Sequence, residues 1–430
     1  MLEDGGSGAE EARATTTEQR VDAHPEVTAL GAGAQRSWLT TTAIADVVAA
    51  EQRPFPAEEY ERRLSAVRAR MAEAGLAAMI VFRPSSVEYL CGYHTAETAP
   101  QPLLVTETDT YLYVPDLELG RSLASSRVGN LLYCGYADAL RSLDVFFDHA
   151  IGELPKAARV GIELDHTSTP PRALELLREK GIEVVAGEHL VERVRLVLSA
   201  AEIDCMERAA EHTEAGVRAG FAAASEPGAT DSSVAAAIAA ALYREANSPS
   251  VWGPVVATGQ RGGIPHSSWQ HGPLGQGLTF VEFAGTHHRY HAPVMRTFTR
   301  AALDAPDRRL VEMSKAALTG VLETAKAGIS AAEVARAGRA AIGVIPDDVV
   351  FHQLFGYPVG LAHKPHWMDG APFYLTVDNE QPLEAGMAFH VPASFRIFGR
   401  SVVGLSHTFL VTESGTRVLT KGDAELVELP

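Results

Sequence analysis

Cysteine is scarce, with three in 430 residues. An odd number of widely spaced thiols excludes a disulfide framework and a cysteine-rich zinc knuckle. Cys91, Cys134 and Cys205 therefore read as ordinary buried thiols in a reducing compartment, most simply the cytoplasm. Positive charge is also short, at 37 Lys and Arg against 54 Asp and Glu, for a net charge of -17. That balance argues against nucleic acid or an anionic membrane surface as a partner. No apolar run approaches the roughly 18 residues a spanning helix needs. The start, MLEDGGSGAEEAR, lacks the basic end and apolar core of a signal peptide. Short-period repeats, coiled-coil heptads and long low-complexity segments are missing too.

What is present suits a globular chain, with 46% hydrophobic and 21% charged residues. A length of 430 residues predicts two domains. Residues 1–50 read as a flexible extension with a short helix near TTTAIADVVAAEQ. Residues 51–197 alternate helical and strand-like stretches, among them FPAEEYERRLSAVRARMAEAG, QPLLVTETDTYLYVPD and RVGIELD, which predicts a small α/β domain. Residues 198–430 open on a long helical stretch broken by EPGATD. They continue with antiparallel strand signals at GLTFVEFAG, RYHAPVMRTFTRAA, MAFHVPASFRIFG and SVVGLSHTFLV. Strand pairs with helices between them predict an α+β sheet covered by helices on one face.

The chemistry concentrates in FVEFAGTHHRYHAPVMRTFTR, residues 280–300. Glu282 lies between Val281 and Phe283 in an alternation that predicts burial, and a buried carboxylate costs several kcal/mol unless paired. It is either the structural partner of Arg296 or of a backbone amide, or a functional group that binds a cation or serves as base or nucleophile. A di-metal site would want a carboxylate on each strand, yet the second strand offers Pro293. His291 lies in the same stretch, whereas His287 and His288 read as a solvated turn. His266, in the loop GIPHSSW, is placed where catalytic groups are usually presented, and is the candidate general base.

Taken in order, LSAAEIDCMERAAEHTEAGV, GGIPHSSW, GLTFVEFAG with RYHAPVMRTF, GYPVGLAHKPHW, and LEAGMAFHVPAS through FLVTESG resemble the creatinase/aminopeptidase P superfamily, the pita-bread fold. Within it the pattern is most similar to ectoine hydrolase, with creatinase more distant. The resemblance implies a pita-bread catalytic domain behind a smaller creatinase-type α/β domain. It also implies a homodimer in which each small domain closes the partner's site, with His94 in LCGYHTAE on the reaching segment. Metal-dependent members use two Asp, one His and two Glu. By motif those positions hold Glu282, Pro293, Tyr357, Pro392 and Ser406, so one carboxylate of five remains and neither metal nor cofactor is expected. The resemblance also places Tyr357, His363, His390 and His407 around the pocket, with Trp269 and Trp367 as walls for a small ring or cation. Where acidic residues would be expected near position 407 this chain has Ser406 and His407, and position 363 is His rather than Tyr.

With the metal ligands gone, acid and base work passes to side chains. The resemblance implies a metal-independent hydrolase that cleaves a C–N bond (amidine, guanidine or amide) of a small polar substrate. His266 would take a proton from water, or Glu282 would attack directly, while Tyr357 steadies developing charge. Three alternatives stay open. They are a metal-free lyase, decarboxylase or isomerase of specialised metabolism, a Xaa-Pro dipeptidase that the ligand count disfavours, and a non-catalytic binding subunit.

Overall fold

The computed structural model describes residues 25–31, 40–50, 53–96, 99–136, 141–187, 189–275 and 277–430. The chain divides into two units, Met1–Val194 and Arg195–Pro430. Most of the extension expected over residues 1–50 lies outside the described residues.

The first unit is built on a seven-stranded mixed sheet. Its strands are β1 (Glu26–Leu30), β2 (Ala78–Val81), β3 (Leu103–Thr106), β4 (Thr110–Pro115), β5 (Asn130–Cys134), β6 (Arg159–Ile162) and β7 (Glu183–Ala186). They run in the order β1-β5-β4-β3-β2-β6-β7. Its helices are α1 (Thr41–Ala50), α2 (Ala57–Glu73), α3 (Pro84–Cys91), α4 (Leu119–Ser125), α5 (Ser142–Gly152), α6 (Pro171–Glu179) and α7 (Leu190–Arg195). The central strands are short apolar runs because both faces are covered. Ala78, Ile80, Leu104 and Val160 pack with Phe146 of α5 and Leu176 of α6 in one cluster. One difference from the sequence reading is β1, which lies inside the stretch read as an extension and pairs in parallel with β5. All three cysteines are buried thiols outside any disulfide.

The second unit opens with α8 (Ala200–Ser225) and α9 (Asp231–Tyr243). Capping boxes start both, at Ser199 with Glu202 and at Thr230 with Ser233. A four-stranded sheet follows, made from β8 (Val255–Thr258), β9 (Thr279–His287), β10 (Tyr290–Thr299) and the C-terminal β17 (Val427–Glu428). Helices α10 (Ala305–Thr324) and α11 (Ala331–Ile342) come next. They cover a second sheet of β11 (Tyr357–Pro358), β12 (Ala388–His390), β15 (Thr408–Val411) and β16 (Thr416–Val418). The hairpin of β13 (Ser394–Ile397) and β14 (Ser401–Gly404) completes the unit. This is the pita-bread architecture with a creatinase-type domain before it, as the sequence implied.

Strand β9 is buried on both faces, and period-2 alternation divides its residues. Val281 and Phe283 pack with Val234 and Ile238 of α9. Helix α8 comes so close that a Cβ on Gly285 would stand 2.4 Å from the Ala209 carbonyl oxygen. Phe280, Glu282 and Ala284 face the other way. There Phe280 packs with Val255, Met295 and Val402, and Trp252 lies against the same cluster. The helices therefore hold one face of the strand, and the other face carries the acid.

Candidate active site

Glu282 is 6% exposed. Neither Arg296 nor a backbone amide satisfies it, which corrects the structural-partner reading. Arg296 donates to the Ser406 and Met295 carbonyl oxygens at 2.6 and 2.9 Å, tying β10 to the short segment ahead of β15. Among the described residues nothing forms a hydrogen bond or ion pair with the Glu282 carboxyl. Burial pushes it up to about 8, against the weaker opposing pull of Arg396. At neutral pH it is a carboxylic acid that can donate a proton.

A hydrogen-bonded chain of side chains stands within electrostatic reach of this acid. Strand β11 sets Tyr357 opposite His390 on β12. Trp367 Nε1–H donates to the Tyr357 hydroxyl at 2.9 Å, and that hydroxyl lies 2.7 Å from His390 Nδ1. His390 Nε2 lies 2.7 Å from Ser406 Oγ, which also accepts from the Met295 N–H at 2.6 Å. Burial, then the neighbouring His366, Arg296, His407 and His352, hold His390 well below its ordinary 6.5. Burial and the nearby Glu282 raise Tyr357 well above 10.0.

A neutral imidazole has one donor and one acceptor nitrogen, so this chain has two directions. In one, Ser406 O–H donates to His390 Nε2 and His390 Nδ1–H donates to Tyr357, leaving the Tyr357 O–H free to donate into the site. In the other, Tyr357 donates to His390 and the Ser406 hydroxyl hydrogen is the free one. The two directions differ only in where the hydrogens sit, the heavy atoms keeping their places.

The five motif positions do not fit a di-metal centre. Glu282 and Pro293 are diagonal neighbours on one face of the β9–β10 ladder, and proline has no donor atom. Tyr357 and Ser406 are engaged with His390, and Pro392 offers nothing. No group of three His, Cys, Asp or Glu among the described residues is placed to hold a metal ion.

The remaining candidates divide. His291 is fully buried, with Nδ1 2.7 Å from the Arg289 carbonyl oxygen and Nε2 accepting from the Val251 N–H at 3.2 Å. Backbone groups occupy both ring nitrogens, so none is left for a substrate, and burial lowers the ring to about 3. His407 is 8% exposed, 3.1 Å from Thr420 Oγ1, and lowered by burial to about 4. His363 is half-buried, with its backbone N–H donating to Asp369 at 3.2 Å. His266 lies on an exposed loop at φ 59°, a left-handed conformation that costs a non-glycine residue roughly 1 kcal/mol. Its ring meets Trp252 edge-on, with centroids 5.7 Å apart. Trp269 is 51% exposed. The wall is made instead by Trp252, which touches both Trp367 and His366 at centroid distances of 5.0 and 4.6 Å. His94 belongs to the first unit, with Nδ1 3.8 Å from the Glu88 carboxylate.

Sequence reasoning passed over Trp252, His366, His352 and Arg396. His366 is lowered to about 4 by burial and by His266. Its adjacency to Trp367 in KPHW was the only local signal, and nothing local marked Arg396.

The profile of Metallopeptidase family M24 matches residues 204–413, and that of the Creatinase/Prolidase N-terminal domain matches residues 63–197. The chain is 29% identical over 395 residues to ectoine hydrolase of Halomonas elongata, covering 85% of this chain and 96% of that protein. It is 24% identical over 361 residues to Xaa-Pro dipeptidase of Pyrococcus horikoshii, covering 83% and 96%. The crystal structure of dipeptidase PepE from Mycobacterium ulcerans superposes with a TM-score of 0.74 over 87% of this chain and 99% of that one, at 24% identity.

Proposed function

We infer that this chain, which belongs to the creatinase/aminopeptidase P superfamily and is a hydrolase of the M24 family, hydrolyses a non-peptide C–N bond of a small polar substrate, without a metal ion. The observation that carries the reading is the buried, unpartnered Glu282 beside the Trp367–Tyr357–His390–Ser406 chain, which occupies two of the positions metal ligands would take. Similarity to ectoine hydrolase supports a cyclic amidine or a related amide as substrate class.

In this mechanism His266 accepts a proton from water as the water attacks the carbon bonded to nitrogen. Tyr357 donates its O–H to the charge that develops on the attacked group. Ser406 donating to His390 Nε2, and His390 Nδ1–H donating to Tyr357, hold Tyr357 in the direction that leaves its O–H free for this. Glu282, protonated at neutral pH, gives its proton to the leaving nitrogen, and the proton taken by His266 returns to Glu282 through solvent as products leave. The structure thus favours an acid role for Glu282 over the base or nucleophile role considered from sequence. We further propose a cytoplasmic homodimer in which the first domain, with His94, closes the partner's site.

Peptide-cleaving relatives such as Xaa-Pro dipeptidase define the rival activity. Turnover of ectoine, creatine and a Xaa-Pro dipeptide, each with and without a chelator, separates the readings. We expect a non-peptide substrate to be hydrolysed at a rate the chelator leaves unchanged. Activity confined to the dipeptide, or abolished by chelation and restored by a divalent ion, overturns the proposal. Light scattering at micromolar concentration tests the dimer, and a fully active monomer would refute it.

A further inference from the structure

The loop that presents His266 is held in place by a pair of charges outside the site. It leaves the 3-10 turn Gly259–Gly263 and returns to the core at Leu274. Its middle is exposed, and both His266 and His271 are left-handed, at φ 59° and 60°. Two such residues within six positions make a conformation that the chain leaves unless surrounding contacts hold it. An exposed loop buries too little apolar surface to supply those contacts itself.

The contacts converge instead on Asp231, the first residue of α9, whose side chain is fully buried. Its Oδ1 accepts from the Gly272 N–H at 3.0 Å, and its Oδ2 from the Gln270 N–H at 3.2 Å. Arg261 donates with one guanidinium nitrogen to Oδ2 and with the other to the Ser268 carbonyl oxygen, so one planar fork joins helix and loop. The loop's exit is tied to the same place. There the Asp231 N–H donates to the Gly272 carbonyl oxygen at 3.0 Å and the Leu274 N–H to the Ala229 carbonyl oxygen at 3.1 Å. Burial pushes the Asp231 carboxyl up, but the Gln270 and Gly272 N–H groups and Arg261 outweigh it and hold the group below the usual carboxylate range.

The other turns of α9 face the candidate acid's strand. Val234 and Ile238 pack with Val281 and Phe283, the residues on either side of Glu282. One helix therefore braces the strand that carries Glu282 and, through Asp231, the loop that carries His266. We propose that Asp231 and Arg261 are positioning residues that fix His266 relative to Glu282, with its ring edge-on to Trp252. They act through the loop and not on substrate. The proposal rests on the base role given to His266 above.

The test compares wild type, Arg261→Met, Arg261→Lys and Asp231→Asn as full chains, and repeats Arg261→Met in a His266→Ala background. The rate is measured on ectoine or creatine, whichever the wild type hydrolyses faster, and backbone amide exchange read by mass spectrometry reports the state of the loop. Arg261→Met and Asp231→Asn should each lower kcat about a hundred-fold, the cost of an ångström-scale misplacement, with KM changed less than about three-fold. Arg261→Lys keeps the charge but not the fork, so a fall of about ten-fold is expected. Exchange should quicken over residues 264–275 and keep its wild-type rate in α9 and β9. In the His266→Ala background Arg261→Met should cost less than about two-fold, because a base already removed cannot be misplaced. Losses that multiply in the double variant overturn the proposal, as does a released loop with wild-type kcat. Faster exchange throughout the second unit in all three single variants would make the pair architecture and overturn it equally. Selective release of the loop in a protein that hydrolyses neither ectoine nor creatine leaves the clamp standing and removes the hydrolase reading, so the two failures are distinct.

Discussion

Among the described residues each unit buries one glutamate whose carboxyl is raised by desolvation, and the two are held in opposite ways. Glu163, just beyond β6, accepts from the Phe82 and Arg83 backbone N–H groups at 3.2 and 3.0 Å and from the Ser86 hydroxyl at 2.8 Å. Burial and the negative charge of Glu192 raise it, and Glu192 is itself paired with Arg83. These contacts knit the start of α3 to the sheet. Glu282 has the same burial and none of the donors. A saturated carboxyl is architecture; one left open at the junction of two sheets is available for chemistry.

The comparison breaks most sharply on activity. Glu282→Gln keeps the volume and removes the proton, so turnover of the best C–N substrate should fall 10²–10⁴-fold, about 3 to 5 kcal/mol of barrier, with the fold intact. Steady-state rates checked against circular dichroism decide it, and a folded variant within about three-fold of wild type would refute the role.

The same variant sharpens the contrast in stability. The Glu282 carboxyl is higher in the folded chain, at about 8, than its ordinary 4.5. Its stabilisation is therefore fully present below about 4.5, declines as pH rises, and is lost by about 8. Glu282→Gln, which has no such proton to lose, should match wild type near pH 5 and exceed it by on the order of a few kcal/mol near pH 9. Thermal melts at the two pH values test this, and equal melting temperatures at pH 9 would count against an open carboxyl.

Glu163→Gln should show the reverse pattern. An amide cannot offer two acceptor oxygens, so donors at one end face an NH₂ group, and stability should drop by roughly 1–3 kcal/mol. Turnover per folded molecule should stay within about two-fold, under half a kcal/mol of barrier. A specific loss of kcat in a stable Glu163→Gln protein would erase the distinction. The smallest effect belongs to Trp269→Ala. This ring stands outside the wall formed by Trp252 and Trp367, so rate and stability should each change by less than about 1 kcal/mol. A hundred-fold rise in KM would return Trp269 to the site.

Much of the site was legible from order and spacing. Glu282 stood out because an acid inside FVEFAG violates the apolar alternation around it, and the superfamily pattern led to Tyr357 and His390. His291 looked equally promising, because its two backbone partners, Arg289 and Val251, are supplied by a turn and a distant loop that no local pattern reveals. Arg396 was invisible for the converse reason. An arginine in a short strand ordinarily reaches solvent or pairs with an acid, and only the fold shows this one part-buried over the Phe280 ring, within electrostatic reach of Glu282. Strand β1 escaped notice because an edge strand buries little, and EVTAL carries no strong periodicity.

By itself the sequence determined the two-unit plan and the superfamily, and it set side chains with no donor atom, Pro293 and Pro392, at two positions where the motifs lead one to expect ligands. These are properties of local pattern and residue type, and proline cannot ligate in any fold. Only the tertiary structure decided which polar groups satisfy one another. Hydrogen bonding and desolvation depend on groups far apart in the chain, as His390 shows by joining Tyr357 to Ser406 across 33 and 16 residues. The same long-range accounting leaves the Glu282 carboxyl without a hydrogen-bond partner among the described residues, and it is this unmet group that points to chemistry.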